Sequence, residues 1–318
     1  MKAPALALLL LAALSQSAPA QDYPSRPIRV IATASAGGTS DIFMRVLGEE
    51  LRKSLGQPIV IENRPGGAFN IGARACAEAP PDGYTICIMP GDPLAYNRLL
   101  FKTLAYDPEK FEPVTQLFMI GHMLVVSASL KVKTLAELAA YSRAKPGTLA
   151  YSTASVPMGV FLERLKKEHG IDMVRVPFRG GGDAVNALLS GATPVGLYGI
   201  ANLRSQVDAG LIAGVMVDGE ARSPLFPNIP TIREATGKSF DSRSYFALVA
   251  PPGTPKPITA KLQAAIARIV TNPEFRRRHL IERGLDPVAS TPEAFARFLR
   301  DDRLHAAQIV KEAGLQPQ

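Results

Sequence analysis

From residue 28 onward, short runs of β-branched and aliphatic residues alternate with segments whose apolar positions recur at three- and four-residue spacing. Residues 28–32 read as a strand, and 41–55 carry helical spacing through Ile42, Val46, Leu47 and Leu51. The pattern then predicts a strand at 58–61, a helix at 70–79 broken by Pro80-Pro81-Asp82-Gly83, and a third strand at 84–89. Alternating strands and helices are the signature of a parallel α/β sheet covered by helices.

A stretch rich in breakers follows, with Tyr106-Asp107-Pro108 and Glu112-Pro113, and residues 122–126 return to strand character. Thr134 with Glu137 three residues later makes a capping box for a helix at 134–145, which Pro146-Gly147 stops. Strands at 148–152, 173–177 and 195–198 alternate with helices at 158–169 and 183–189, giving a second α/β unit. An apolar strand at 245–250 leads through Pro251-Pro252-Gly253-Thr254-Pro255 into helices at 258–270, 273–283 and 292–313. That tail has too few strands for a sheet of its own, so it is expected to pack back on the first unit. The expected organisation is domain 1 from 21–124 and 247–318, domain 2 from 125–246, and two crossings that frame a cleft, the favoured place for a small ligand.

The first residues add an address. Lys2 precedes an apolar run from Ala3 to Leu14, and the segment ends Ala18-Pro19-Ala20, so residues 1–20 read as an export signal cleaved after Ala20. The run is too short for a stable membrane anchor, no lipobox cysteine follows, and no later stretch approaches the ~18 apolar residues of a spanning helix. A soluble periplasmic protein with no membrane insertion is the expectation.

Charge narrows the partner. The net charge of +8 falls to +7 without Lys2, the basic residues are scattered and there is no tryptophan. These features argue against nucleic acid and favour a small anionic solute. Cys76 and Cys87 are the only cysteines; buried free thiols are one reading and a disulfide in an oxidising compartment the other. No histidine stands near them, so no metal and no cofactor are expected. His122, His169, His279 and His305 fall in no nucleophile or metal motif, and loop-start acids such as Asp41 and Asp92 read as caps rather than an acid pair. The chain is not expected to be an enzyme.

The candidate binding residues lie where strands end and helices begin. Ser35-Ala36-Gly37-Gly38-Thr39-Ser40-Asp41 combines glycines that permit close backbone approach with helix N-terminal amides suited to a carboxylate. Residues 62–72, with Asn70, occupy the equivalent edge after the second strand, and Pro90-Gly91-Asp92-Pro93 completes that rim. Opposite them, Ser152, Thr153 and Ser155 offer hydroxyls, Arg179 offers a counter-charge, and Tyr198 ends a buried strand. Capping and turn formation account for many of the same residues without a ligand.

These segments together resemble the tripartite tricarboxylate transporter receptors, the Bug-type extracytoplasmic solute-binding proteins. The resemblance runs through Tyr23-Pro24-Ser25-Arg26-Pro27-Ile28, Gly37-Gly38-Thr39-Ser40-Asp41, Glu62-Asn63-Arg64-Pro65-Gly66-Gly67, Pro81-Asp82-Gly83-Tyr84-Thr85, Val176-Pro177-Phe178-Arg179-Gly180 and Ala250-Pro251-Pro252-Gly253-Thr254-Pro255. It implies an α/β type II periplasmic binding protein fold, a monomer that closes over a small carboxylate and delivers it to membrane permease subunits. A carboxylate-sensing protein that feeds a sensor kinase is the alternative output, and a periplasmic hydrolase a remoter one. The chain departs from the family at Phe161, where a histidine is usual nearby, and at Gly199, where an aspartate is common. With Tyr198 and Phe161 nearby, those departures point to an aromatic or apolar carboxylate.

Overall fold

The computed structural model describes residues 23–317 except 154–155, 177, 179–180, 201–202, 220 and 239–243. The expected export signal, Ser155 and Arg179 therefore lie outside the described residues.

Strand alternation organises the first lobe. In β1 (Ile28–Ala32), Ile28, Val30 and Ala32 face one way, against Phe43, Met44, Leu47 and Leu51 of α1 (Thr39–Leu55). Ile31 faces the other way, toward Ala73 and Cys76 of α2 (Asn70–Ala77). β1 pairs in parallel with β2 (Ile59–Asn63) and β3 (Thr85–Pro90), and β3 repeats the alternation, with Ile86 and Ile88 toward α1 and Cys87 and Met89 toward α2. That shared face brings Cys76 and Cys87 together, and they form a disulfide. Gly56, at φ 71°, ends α1 in the left-handed conformation that glycine adopts without steric cost.

The parallel core is extended by antiparallel strands. The six-stranded sheet runs β11-β4-β10-β3-β1-β2, where β4 is Glu112–Ile120, β10 is Ser244–Ala250 and β11 is Leu285–Pro287. β4 falls where the sequence pattern predicts irregular chain, and β11 lies in the gap between the helices expected at 273–283 and 292–313. Pro113 cannot donate to the ladder, and the β4–β10 register shifts beside it, between Leu248 and Val249. Helices α9 (Lys256–Val270) and α10 (Pro273–His279) cover the α1 face, where Phe43 meets Phe118 and Phe275 edge-on. Helix α11 (Pro292–Glu312) buries Phe295 and Leu299 on the disulfide face. The helical tail thus packs on the first sheet.

The second sheet runs β7-β6-β8-β5-β9, with β5 His122–Ser127, β6 Leu149–Thr153, β7 Met173–Arg175, β8 Val195–Gly199 and β9 Ile212–Val217. β6 pairs in parallel with β7 and β8, and β5 runs antiparallel between β8 and β9. Helices α4 (Leu135–Ala144) and α5 (Val156–His169) pack on the Leu124 and Val126 face, and α6 (Gly181–Ser190) on the Met123 and Val125 face.

The chain leaves the first sheet at Gly121, between β4 and β5, and β10 is the strand on which it returns. All of β5 belongs to the second sheet and all of β10 to the first, so boundaries at 124/125 and 246/247 would divide strands. The lobes touch on both flanks of this crossing. Val160 of α5 packs against the cluster of Ala95, Tyr96 and Ile309, and Arg204 of α7 (Arg204–Asp208) donates to the Glu282 carbonyl at 3.5 Å.

Candidate ligand site

The carboxyl ends of β1, β2 and β3 place three loops side by side. Two hydrogen bonds stitch the first two together: Arg64 N–H donates to the Ala32 carbonyl at 2.8 Å, and the Asn63 side-chain Nδ2 donates to the Ala34 carbonyl at 3.1 Å. Gly72 seats the first turn of α2 against them. A Cβ there would stand 2.8 Å from the Arg64 carbonyl oxygen and 2.9 Å from the Thr33 Cα. Only glycine fits without backbone movement.

The loop from Ser35 to Asp41 is braced from within. Asp41 is buried, and its Oδ2 accepts from the Gly37 N–H at 2.9 Å while Arg45 donates to both carboxylate oxygens at 3.0 Å. Burial by itself would raise this carboxyl, but the bonds from Arg45, Gly37 and Asn63, with the Arg45 charge, outweigh it and hold it below the usual carboxylate range. Expected among ligand contacts, Asp41 is spent on the loop. Gly38 then serves as N-cap of the 17-residue α1 in extended conformation, with no side-chain cap. The first amides of a helix have no intrahelical acceptors, so the Thr39–Ser40 end carries N–H groups and the positive end of the helix dipole. The Ser40 hydroxyl is buried and has no hydrogen-bond partner among the described residues. Ser35, Ala36 and Gly37 form the exposed tip.

The second rim is a run of left-handed backbone. Gly66, Gly67, Ala68 and Phe69 all have positive φ, at 115°, 56°, 52° and 70°. The Ala68 carbonyl accepts from Asn97 at 2.8 Å, and Asn70 Oδ1 accepts from Asn97 Nδ2 and from the Tyr106 hydroxyl, both at 2.7 Å. Those two donors fix the orientation of the Asn70 amide, committing its NH2 group to a different direction. Asn97 and Tyr106 escaped the sequence reading because they support the rim from 27 and 36 residues away from Asn70. On the third rim, Asp92 opens a π-helical turn, Asp92–Tyr96, and keeps a partly exposed edge. Burial of the rest, reinforced by Asp302 and opposed by its own backbone bond and by His122, pushes its carboxyl up to about 6.

In the second lobe, Ser152 and Tyr198 are buried and hydrogen bond to each other, so the structure places them together inside the sheet rather than at an open surface. Burial raises the Tyr198 hydroxyl, partly offset by the Ser152 bond. Gly196, two residues earlier on the same face, is covered by the Tyr198 ring. Thr153 is half-buried at the end of β6, near the start of α5. Phe161 belongs to the core on the opposite face of the sheet from Tyr198. The two aromatics do not share a wall, so the expected joint apolar surrounding of Tyr198 and Phe161 is not formed.

Beside the first loop, a pocket of about 120 Å³ is lined by Gly37, Thr39, Ile42, Phe43, His279 and Arg283, among others. Among the described residues no group of His, Cys, Asp and Glu is placed to hold a metal, and no helix is long and apolar enough to cross a membrane.

Two α/β lobes joined at a narrow crossing, with amide-bearing loops at the sheet edge, define the type II periplasmic binding protein fold. The chain belongs to the tripartite tricarboxylate transporter receptor family, whose model matches residues 43–315. It is similar to a Rhodopseudomonas palustris protein solved with adipate, at 29% identity and a TM-score of 0.87 over 93% of this chain and 100% of that one. It is also similar to the periplasmic binding protein BugD, at 27% identity and 0.84 over 93% and 100%. A third similar structure is MatC from Rhodopseudomonas palustris with bound malate, at 30% identity and 0.80 over 91% and 100%. The family is one of solute-binding receptors rather than enzymes.

Proposed function

We propose that this chain is a periplasmic receptor that captures a small carboxylate between its lobes and delivers it to the membrane subunits of a tripartite-type transporter. One observation carries the reading: the long helix α1 begins at the sheet edge on a glycine N-cap with no side-chain cap, beside an internally neutralised Asp41. That end attracts an anion through backbone amides and the helix dipole, and the glycines let the anion approach. The net positive charge of the chain adds long-range attraction. The adipate and malate in two similar proteins support carboxylate as the ligand class. Asn70, Asp92 and Thr153 are assigned to the cleft wall, with Ser155 and Arg179 as the second-lobe partners, whereas Asp41, Ser152 and Tyr198 act as supports.

Capture works by population shift. A ligand that touches both lobes only when they are together stabilises closure by its differential affinity. The test is a thermal-shift and calorimetry panel of mono-, di- and tricarboxylates, headed by adipate and malate, on protein lacking residues 1–20. A carboxylate that raises the melting temperature and compacts the protein in small-angle scattering is the expected result. No stabilisation by any carboxylate sinks the proposal.

A further inference from the structure

His122 is the first residue after the chain leaves the first sheet, and its imidazole is held from both lobes. Asp218, which follows β9 in the second lobe, accepts the His122 backbone N–H on Oδ1 at 2.7 Å and meets Nδ1 with Oδ2 at 2.9 Å. The Asp218 N–H returns a bond to the His122 carbonyl at 2.9 Å. Both ring nitrogens are engaged, Nδ1 by the Asp218 carboxyl and Nε2 by a hydroxyl, which can donate or accept. Nε2 lies 3.2 Å from the hydroxyl of Ser244, the first residue of β10 in the other sheet, where it sits opposite Ile120 of β4. His122 and Asp218 are 1% and 5% exposed, so water does not readily replace a partner that moves away. Gly121 completes the joint: its carbonyl accepts from Ile200 at 2.9 Å, and a Cβ on it would stand 3.3 Å from the Ile200 side chain and 3.5 Å from Asp218 Oδ1.

We propose that His122 is the positioning residue of the interlobe hinge, fixed to the second lobe by Asp218 and latched to the first by Ser244, so that the His122–Ser244 bond favours the lobe arrangement in which ligand is held. The affinity part of this proposal rests on the receptor reading above; the hinge part does not. Rotation of the lobes about Gly121 moves Ser244 relative to an imidazole that Asp218 keeps in place. Breaking that one bond therefore changes the balance between lobe arrangements while leaving each lobe's core intact. The order Ser, His, Asp is also that of a hydrolytic triad, and here its histidine is sealed inside the hinge.

The test compares wild type, Ser244→Ala and Ser244→Thr, each carrying the full mature chain. Small-angle scattering without ligand reads the lobe arrangement, calorimetry with adipate and malate reads affinity, and a fluorophosphonate probe reads serine nucleophilicity. The expected result is a broader, more extended ligand-free ensemble for Ser244→Ala, an affinity lower by about two- to tenfold, and restoration of both by Ser244→Thr. Unchanged scattering in Ser244→Ala, or no restoration by threonine, overturns the proposal. Covalent labelling of Ser244 by the probe overturns it in favour of a nucleophile. If neither carboxylate binds wild type, the ligand reading fails while scattering still decides the hinge.

Discussion

Asp41 closes its own loop, with Oδ2 bonded to the Gly37 N–H at 2.9 Å and Arg45 bonded to both of its oxygens. The residue that reads in the sequence as a ligand contact is a brace of the loop from Ser35 to Asp41. Asp41→Ala is expected to cost about 1.5–3 kcal/mol, the range for hydrogen bonds to a charged group, and to weaken carboxylate binding by loosening residues 35–40. Urea unfolding and calorimetry measure the two effects. The folded carboxyl titrates below its unfolded value, so its stabilisation is present above about pH 4 and is lost as pH falls through the lowered folded value. The stability gap between wild type and Asp41→Asn should therefore close in acid.

Asp92 carries the opposite sign. Its carboxyl is pushed up to about 6, so the folded state binds a proton that the unfolded state releases between about pH 4 and pH 6. Stability falls as pH rises through that window, and the cost is fully present above it. Asp92→Asn should stabilise the ligand-free protein at pH 7.5 by no more than about 3 kcal/mol, less for its partly exposed edge. The gain should vanish at pH 4. Thermal melts of both proteins across that range decide it.

The disulfide between Cys76 and Cys87 ties α2 to β3 beneath the second and third rims. Closing a loop with a sequence separation of 11 corresponds to about 2–3 kcal/mol. Replacing both cysteines by serine should lower stability by about that amount. A reductant should lower the melting temperature of wild type and leave the double variant unmoved.

Gly72 holds two rims in register. The Cβ of Gly72→Ala would meet the Arg64 carbonyl oxygen and the Thr33 Cα at under 3 Å, both on the backbone. Overpacking of this kind costs about 1–3 kcal/mol. Gly56→Ala, with open space around its Cβ, is the control for glycine replacement away from the rims. Gly72→Ala should weaken carboxylate binding beyond any change in Gly56→Ala, as read by calorimetry.

The alternation of strands and helices, the Thr134 cap that accepts from the Glu137 N–H, and the glycine-rich loop ahead of α1 follow from local preference, and local preference is written in consecutive residues; the expected capping box is only half made, because the Glu137 carboxylate accepts from the Lys133 N–H instead of the Thr134 N–H. So the two α/β units and the first rim were legible in the chain. The strand β4 was not, because a proline at its start and burial along most of its length erase the two-residue period. Only the tertiary structure decided that Cys76 and Cys87 share a face, that Phe161 and Tyr198 lie on opposite faces, and that His122 meets Asp218 and Ser244 from 96 and 122 residues away. The physical reason is common to all three: which side chains meet depends on strand register and the order of strands in the sheet, and hydrogen bonds between distant segments set both.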